Sequence, residues 1–307
     1  MKSTRGLDNF GNTCYMNSAI QTIAYCPAII SALEKNQKSK NANPLYVKLL
    51  QLIKSMWSEC NDNEIRTTHR EFVNLVYHCK EMAVAIGKHG SQQDVCEFML
   101  SLFDINNCLS DCMKYDMNVN ITCPNCSHKH THTESSTILF VPVTKSISEG
   151  ITRTFEPTPL LHGFKCDNCN YDSNKSVLQR TMVSFPKVLM IAINRFRHIK
   201  TLSLMESFGN SKIREPITID AAMAFTSNVE SKDRNATYVL AAVACHSGRS
   251  LSGGHYYCLT PKSHSPESSD PGLSDPRYKW IKHDDASRCL IENIDESETY
   301  VALYNRI

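Results

Sequence analysis

The sequence predicts an α+β protein. Apolar residues recur at helical spacing through the first third: Met16, Ala19, Ile20, Ile23 and Ala24 share one face, and Val47, Leu49, Leu50, Ile53 and Met56 another. From about residue 117 the pattern changes to short strand-like runs bounded by turn residues. Among those runs lie two knuckles, Cys123-Pro124-Asn125-Cys126 and Cys166-Asp167-Asn168-Cys169, with the spacing of a tetrahedral Cys₄ metal site. The 307 residues allow one large domain or two ordinary ones, and 41% hydrophobic content supports a packed core. A formal net charge of +2 argues against general binding to nucleic acid or acidic membranes. No apolar run of about 18 residues exists to span a membrane. The start, Met1-Lys2-Ser3-Thr4-Arg5, lacks the apolar core of a signal peptide and leaves no room for a leader. Fourteen cysteines in such a chain suggest a reducing compartment, cytoplasmic or nuclear, with thiol chemistry and metal binding rather than a disulfide framework.

Taken in order, a helix is expected from residue 14 to about 35, ended or restarted at Cys26-Pro27 because proline cannot continue a helix. Lys35–Pro44 is polar and reads as a loop, and Leu45–Trp57 as a helix. Thr67-Thr68-His69-Arg70-Glu71 offers a threonine N-cap with a glutamate three residues on, opening a helix over Phe72–His78. Gly90-Ser91 marks the start of another, with Val95, Phe98, Met99 and Leu102 as its buried stripe. Ser136–Val143 and Lys175–Val183 read as strands. Phe185–Phe196 is a near-continuous apolar run closed by Arg195-Phe196 that fits a strand buried on both faces. Lys212–Ile219 reads as a short strand, and Asn228–Asn235 as a charged turn. Tyr238–His246 and Gly254–Leu259 form a hairpin around a flexible Gly/Ser loop, Ser247–Gly254. Thr260–Arg277, rich in Ser, Pro and Asp, reads as a mobile excursion. Lys279–Asp285 and a closing strand within Ser297–Ile307 complete the chain.

The chemistry centres on Cys14. Gly6, Asn9, Gly11 and Asn12 crowd its approach with turn-forming residues, and helical spacing begins just after it. A cysteine in the first turn of a helix meets free N–H groups and the positive end of the helix dipole, which favour the thiolate, the nucleophilic form. Asp94 and Glu97 lie three apart at the start of a helix, where matching to the dipole alone accounts for two acids. His128, His130 and His132 alternate, as on a solvated strand face. The knuckles are read as a zinc ribbon at the base of two long hairpins, with disulfides or free thiols as the alternative. His255 follows two glycines, which let a substrate backbone approach closely.

The string Gly6-Leu7-Asp8-Asn9-Phe10-Gly11-Asn12-Thr13-Cys14-Tyr15-Met16-Asn17, with Gln21 seven residues after the cysteine, resembles the cysteine box of the ubiquitin-specific proteases. Gln92-Gln93-Asp94-Val95-Cys96-Glu97-Phe98, the strand ending Arg195-Phe196, and Gly254-His255-Tyr256-Tyr257 preceded by His246-Ser247-Gly248 resemble that family's other boxes. The resemblance spans Gly6 to Tyr304. It implies a papain-like right-hand fold with a helical thumb (1–115), zinc-ribbon β fingers (116–184) and an antiparallel β palm (185–307). It further implies that Cys14 is the nucleophile, His255 the base, Asp284 the residue that orients it, and Asn9 an oxyanion-hole amide. Asp285 would assist the reacting centre, Asp94 and Glu97 would face the arginine-rich tail of ubiquitin, and Tyr256 would wall the channel for its Gly-Gly end. His246 is read as structural. His283 stands where the family usually carries an aromatic residue. One zinc ion on Cys123, Cys126, Cys166 and Cys169, ubiquitin and ubiquitinated proteins as partners, and a monomeric, stand-alone catalytic core are the corresponding expectations. A ubiquitin-like modifier as substrate and a catalytically silent ubiquitin-binding scaffold are the competing readings.

Overall fold

A computed structural model describes residues 4–58, 61–87, 90–160, 163–173, 175–198, 210–226, 235–250, 253–262 and 279–307. The first third is helical: α1 Cys14–Ile23, α2 Pro27–Gln37, α3 Pro44–Trp57, α4 Asp62–His78, the short α5 Ala83–Ile86, α6 Val95–Asp104 and α7 Asn107–Met113. Then come β1 Tyr115–Thr122, β2 Lys129–Ser136, β3 Leu139–Val141, α8 Ile147–Phe155, β4 Thr158–Pro159, β5 Phe164–Lys165, β6 Asp172–Ser173, β7 Val177–Met182 and β8 Val188–Ile193. The chain closes with β9 Phe196–His198, β10 Asn210–Lys212, β11 Ala222–Thr226, β12 Asn235–Ser250, β13 Gly253–Pro261, β14 Trp280–Asp284, β15 Ser287–Ile291 and β16 Thr299–Arg306.

The central sheet runs β15-β14-β13-β12-β16-β8-β3, with β11 on β12; every pair is antiparallel except β3 on β8. A second sheet, β2-β1-β7-β4, projects the long β1–β2 hairpin toward the first knuckle, and β5-β6 carries the second. Alternation across the strands divides the core. Tyr256, Cys258, Ala244, Val301 and Leu303 face the helices, whereas Tyr257, Leu259, Val243, Ala302 and Tyr304 pack on the other side with Ile147 and Ile151 of α8. All six residues of β8 are buried, as its unbroken apolar run predicts. Arg195, just beyond β8, is wholly buried, yet its guanidinium donates to the carbonyls of Ile213, Glu215, Glu296 and Thr299. Those four acceptors satisfy the donor fork that burial would otherwise strand.

Several boundaries differ from the sequence reading. Helix α4 starts at Asp62, not at residue 72: Asn61 accepts from the Glu64 N–H at 2.8 Å, and Thr68 is buried within the helix. The upstream Asn-x-x-Glu pattern thus supplies the cap. Helix α6 starts at Val95 rather than at Gly90. Strand β10 ends at Lys212; Pro216, which lacks an N–H, excludes a ladder through the rest of Lys212–Ile219. The expected Gly/Ser loop is largely strand, because β12 continues to Ser250 through a register shift after Ser247. Helix α8, capped by Ser146 on the Glu149 N–H at 3.1 Å, and strand β11 carried no reading. Most of Thr260–Arg277 and of Asn228–Asn235 lies outside the described residues.

Candidate active site

The turn before α1 is held from two directions. Asn9 Oδ1 accepts from the Gly11 and Thr13 N–H groups at 3.0 and 3.1 Å, folding the chain back on itself. Gly11 (φ +96°) and Asn12 (φ +53°) sit in the left-handed region, which glycine adopts without strain and asparagine tolerates. The segment before it lies against the β14–β15 turn. The Leu7 N–H donates to the Asp285 carbonyl at 2.9 Å, and a Cβ on Gly6 would stand 2.3 Å from the Ala286 oxygen, so only glycine fits there. The Asp285 carboxylate completes the clamp, accepting from Asn9 Nδ2 at 2.9 Å and from Asn17 Nδ2 at 2.7 Å. Residues near both ends of the chain are thereby fixed together around the start of α1.

Cys14 opens that helix. Its Sγ accepts from the Tyr256 backbone N–H at 3.5 Å and from Gln92 Nε2 at 3.4 Å. Burial pushes the thiol up, but hydrogen bonding to His255, Tyr256 and Gln92, with the charge of His255, outweighs it and leaves the Cys14 pKa below its ordinary 9.0. The His255 imidazole moves the other way, up to about 9; hydrogen bonding to Cys14 is the chief cause, burial opposes it, and Asp284 adds to the rise. The opposite shifts describe a thiolate–imidazolium pair. His255 Nε2 meets Asp284 Oδ1 at 2.5 Å, so Nδ1 is the nitrogen left for the sulfur. Burial raises the Asp284 pKa, but Lys282 and His255 bring it below its ordinary value.

The other expected site residues fall differently. Asp94 is 9% exposed. Its Oδ1 caps α6 through the Cys96 and Glu97 N–H groups at 2.7 and 3.0 Å, and its Oδ2 accepts from the Tyr300 hydroxyl at 2.7 Å. Where a substrate-facing carboxylate is expected, the structure has both oxygens engaged within the protein, one on the helix end and one on Tyr300. Glu97, one turn on, is exposed. The Tyr256 ring is wholly buried against His246, centroids 4.6 Å apart, because strand alternation turns it away from the side of His255. It walls no open channel; only its backbone N–H reaches the sulfur. Asn9 has one amide N–H committed to Asp285. Asp285 braces Asn9 and Asn17. His283 is buried and neutral, pushed down to about 3 by burial, with its ring nitrogens near the Thr260, Tyr25 and Thr4 hydroxyls. Gln92, whose amide reaches the sulfur, carries one signal in the sequence, its place two residues before the helix cap Asp94.

The four knuckle cysteines converge. Their sulfurs all lie within 4.8 Å of one another, with Cys123–Cys169 at 3.8 Å and Cys126–Cys166 at 3.7 Å. A tetrahedral zinc with Zn–S bonds of about 2.3 Å places its sulfurs about 3.8 Å apart, so the set fits that ion. The two knuckles match: Ser127 and Asn170 are both left-handed, and Asn125 and Asn168 each donate to a sulfur of the opposite knuckle. These four cysteines could hold a metal ion. His130 and His132 line β2 beside Asp167 and Glu134 and show no such convergence.

A thiol at a helix start, an imidazole and a carboxylate in series, set between helices and an antiparallel sheet, define a papain-type cysteine hydrolase. The sequence profile of the family described as ubiquitin carboxyl-terminal hydrolase matches residues 5–304. The chain belongs to that family. Curated relatives include the probable ubiquitin carboxyl-terminal hydrolase 16 of Schizosaccharomyces pombe, 23% identical over all of this chain and 67% of that protein. Ubiquitin carboxyl-terminal hydrolase 51 of Mus musculus is 25% identical over 98% of this chain and 51% of its own length. The chain thus spans between half and two thirds of these relatives. Among solved structures, the SAGA Ubp8/Sgf11/Sus1/Sgf73 DUB module bound to ubiquitin aldehyde matches with a TM-score of 0.77 at 18% identity, covering 99% of this chain and 70% of that one. The module carrying a substituted Ubp8, bound to monoubiquitin, gives 0.76 at 19% identity, covering 99% of this chain and 69% of that one. The fold is therefore shared with a deubiquitinating enzyme. No helix among the described residues is long and apolar enough to cross a membrane.

Proposed function

We propose that this chain is a thiol protease that cleaves the isopeptide or peptide bond after the C-terminal glycine of ubiquitin, releasing ubiquitin from conjugated proteins. The observation that carries this reading is the series Cys14–His255–Asp284, with opposite pKa shifts on sulfur and imidazole. In the first half-reaction the Cys14 thiolate attacks the glycine carbonyl carbon, forming a C–S bond and a tetrahedral oxyanion. His255 then gives its proton to the departing amine nitrogen as the C–N bond breaks, leaving a thioester. In the second, His255 accepts a proton from water as it attacks the thioester, and the sulfur departs. Asp284 holds the ring so that Nδ1 faces Cys14 throughout.

The Cys14 backbone N–H and the side-chain amides of Gln92, on the sulfur, and Asn9, in the turn before it, are the donors this reading assigns to the developing oxyanion. Loss of one such donor typically costs about 10²–10³ in rate. Exposed Glu97 is the carboxylate left to meet an arginine of the ubiquitin tail. Residues 1–115 serve as thumb, 116–184 as fingers and 185–307 as palm. Cys123, Cys126, Cys166 and Cys169 would hold zinc, which supplies a structural cross-link between the two hairpins and no step of the reaction. A reducing compartment, cytoplasm or nucleus, suits both the thiolate and the four thiol ligands. Fold neighbours bound to ubiquitin aldehyde and to monoubiquitin support ubiquitin over a ubiquitin-like modifier. Ubiquitin carrying a C-terminal electrophile tests the proposal. It should label the chain at Cys14 and fail to label Cys14→Ala; equal labelling of both would overturn the assignment.

A further inference from the structure

We infer that Lys282 is a positioning residue of this active site: its ammonium holds the Asp284 carboxylate in the orientation that fixes His255. The inference rests on the catalytic reading above but on different contacts. Lys282 and Asp284 lie two apart on β14 and therefore share a face of the strand. Asp284 offers one oxygen, Oδ1, to His255 Nε2 at 2.5 Å and the other, Oδ2, to Lys282 Nζ at 2.8 Å. With both oxygens engaged, the carboxylate cannot turn about its terminal bond without breaking a charge-assisted contact.

The lysine is itself held. Its ammonium lies 4.2 Å from the centre of the Tyr257 ring, a cation–π contact, and Tyr257 is anchored by its hydroxyl on Glu298 Oε2 at 2.7 Å. A chain of contacts thus runs from Glu298 through Tyr257, Lys282, Asp284 and His255 to Cys14. Among the described residues, the charged and titratable groups on the elements around Asp284 and Lys282 include His255 and Tyr257 from β13, His283 between the two on β14, Cys289 and Arg288 on β15 opposite Lys282 and His283, Asp285 at the turn, Glu298 behind Tyr257, and Cys14 at the start of α1. The Lys282 ammonium meets the Asp284 oxygen that His255 leaves free. Its charge keeps Asp284 ionised at lower pH. A merely solubilising surface lysine would do neither.

The test is the pH dependence of Cys14 alkylation by iodoacetamide, followed by mass spectrometry on the full chain, for wild type, K282M and K282R, alongside turnover of a ubiquitin C-terminal amide substrate. In K282M, Asp284 takes up a proton at higher pH and loses its hold on the imidazolium. The acid limb of both profiles should then move up by about half a pH unit to one, the size expected for losing one partly exposed opposite charge. Turnover at neutral pH should fall about three- to tenfold in kcat with KM unchanged, as for an interaction that acts on the transition state alone. K282R, which keeps the charge, should restore the acid limb. An acid limb in K282M that matches wild type overturns the inference, as does a shift that K282R fails to reverse. Because alkylation needs no ubiquitin, a chain that shows the K282M shift yet cleaves no ubiquitin substrate would sink the proposed substrate and leave the role of Lys282 standing.

Discussion

His255 answers to two partners of opposite character, a sulfur on one ring nitrogen and a carboxylate on the other. Each is stabilised by a positive ring, so the imidazole holds its proton up to about pH 9. The sign follows from linkage. A histidine whose folded value lies above its ordinary 6.5 contributes stability in full below that value and loses it as pH rises through about 9. Turnover should follow: an alkaline limb near pH 9, where the imidazolium loses its proton, and an acid limb set by protonation of the Cys14 thiolate, below the ordinary thiol value. A pH–rate profile on a ubiquitin amide substrate checks this, and an alkaline limb at pH 6 to 7 would contradict the ion pair. That Cys14, His255 and Asp284 come together was legible in the sequence because the three proposed catalytic residues sit in recognisable strings. The positions of Asp94 and Tyr256 were not, since the same strings do not say which side chains face inward. Asp94 is spent on its own helix, and strand alternation buries the Tyr256 ring.

At the scale of elements, local patterning gave types better than boundaries. Helices α1 and α3 follow their apolar stripes, and β8 follows its unbroken apolar run. Helix α4 was misplaced because two capping patterns stand seven residues apart, and only packing of Ile65 into the core chooses the earlier. The extension of β12 through Ser247 to Ser250 was hidden for a related reason: serine and glycine favour turns locally, but pairing with β13 draws them into extended backbone. Helix α6 provides a measurable consequence. Asp94→Ala removes its N-cap and leaves the buried Tyr300 hydroxyl without its acceptor. Loss of a cap costs about 0.5–2 kcal/mol and an orphaned buried polar group about 1–3. Chemical denaturation should therefore show a loss of about 1.5–5 kcal/mol by the sum of these two effects. A variant as stable as wild type would contradict the capping role of Asp94.

Over the whole molecule, the two ends of the chain meet at the catalytic helix. Leu7, Asn9 and Asn17 are bound to Asp285, and α1 packs on β13, so Cys14 and His255, the proposed nucleophile and base, are held by a common brace. The knuckles sit apart from this brace, at the tips of the β1–β2 and β5–β6 hairpins, and their fit to zinc is a matter of fold rather than chemistry. Native mass spectrometry should find a zinc ion on the chain that disappears in Cys166→Ser; a zinc signal surviving that change would contradict the Cys₄ assignment. That the knuckles pair as they do follows from strand register, which spacing alone does not encode. The central claim, a thiolate sustained by an imidazolium, is tested most directly by the ultraviolet absorbance of thiolate followed against pH in wild type, Cys14→Ala and His255→Ala. The difference between wild type and Cys14→Ala should show one thiolate persisting below the ordinary thiol range, and in His255→Ala that signal should move up toward it. A Cys14 signal that titrates like an ordinary thiol in the wild-type chain would contradict the account.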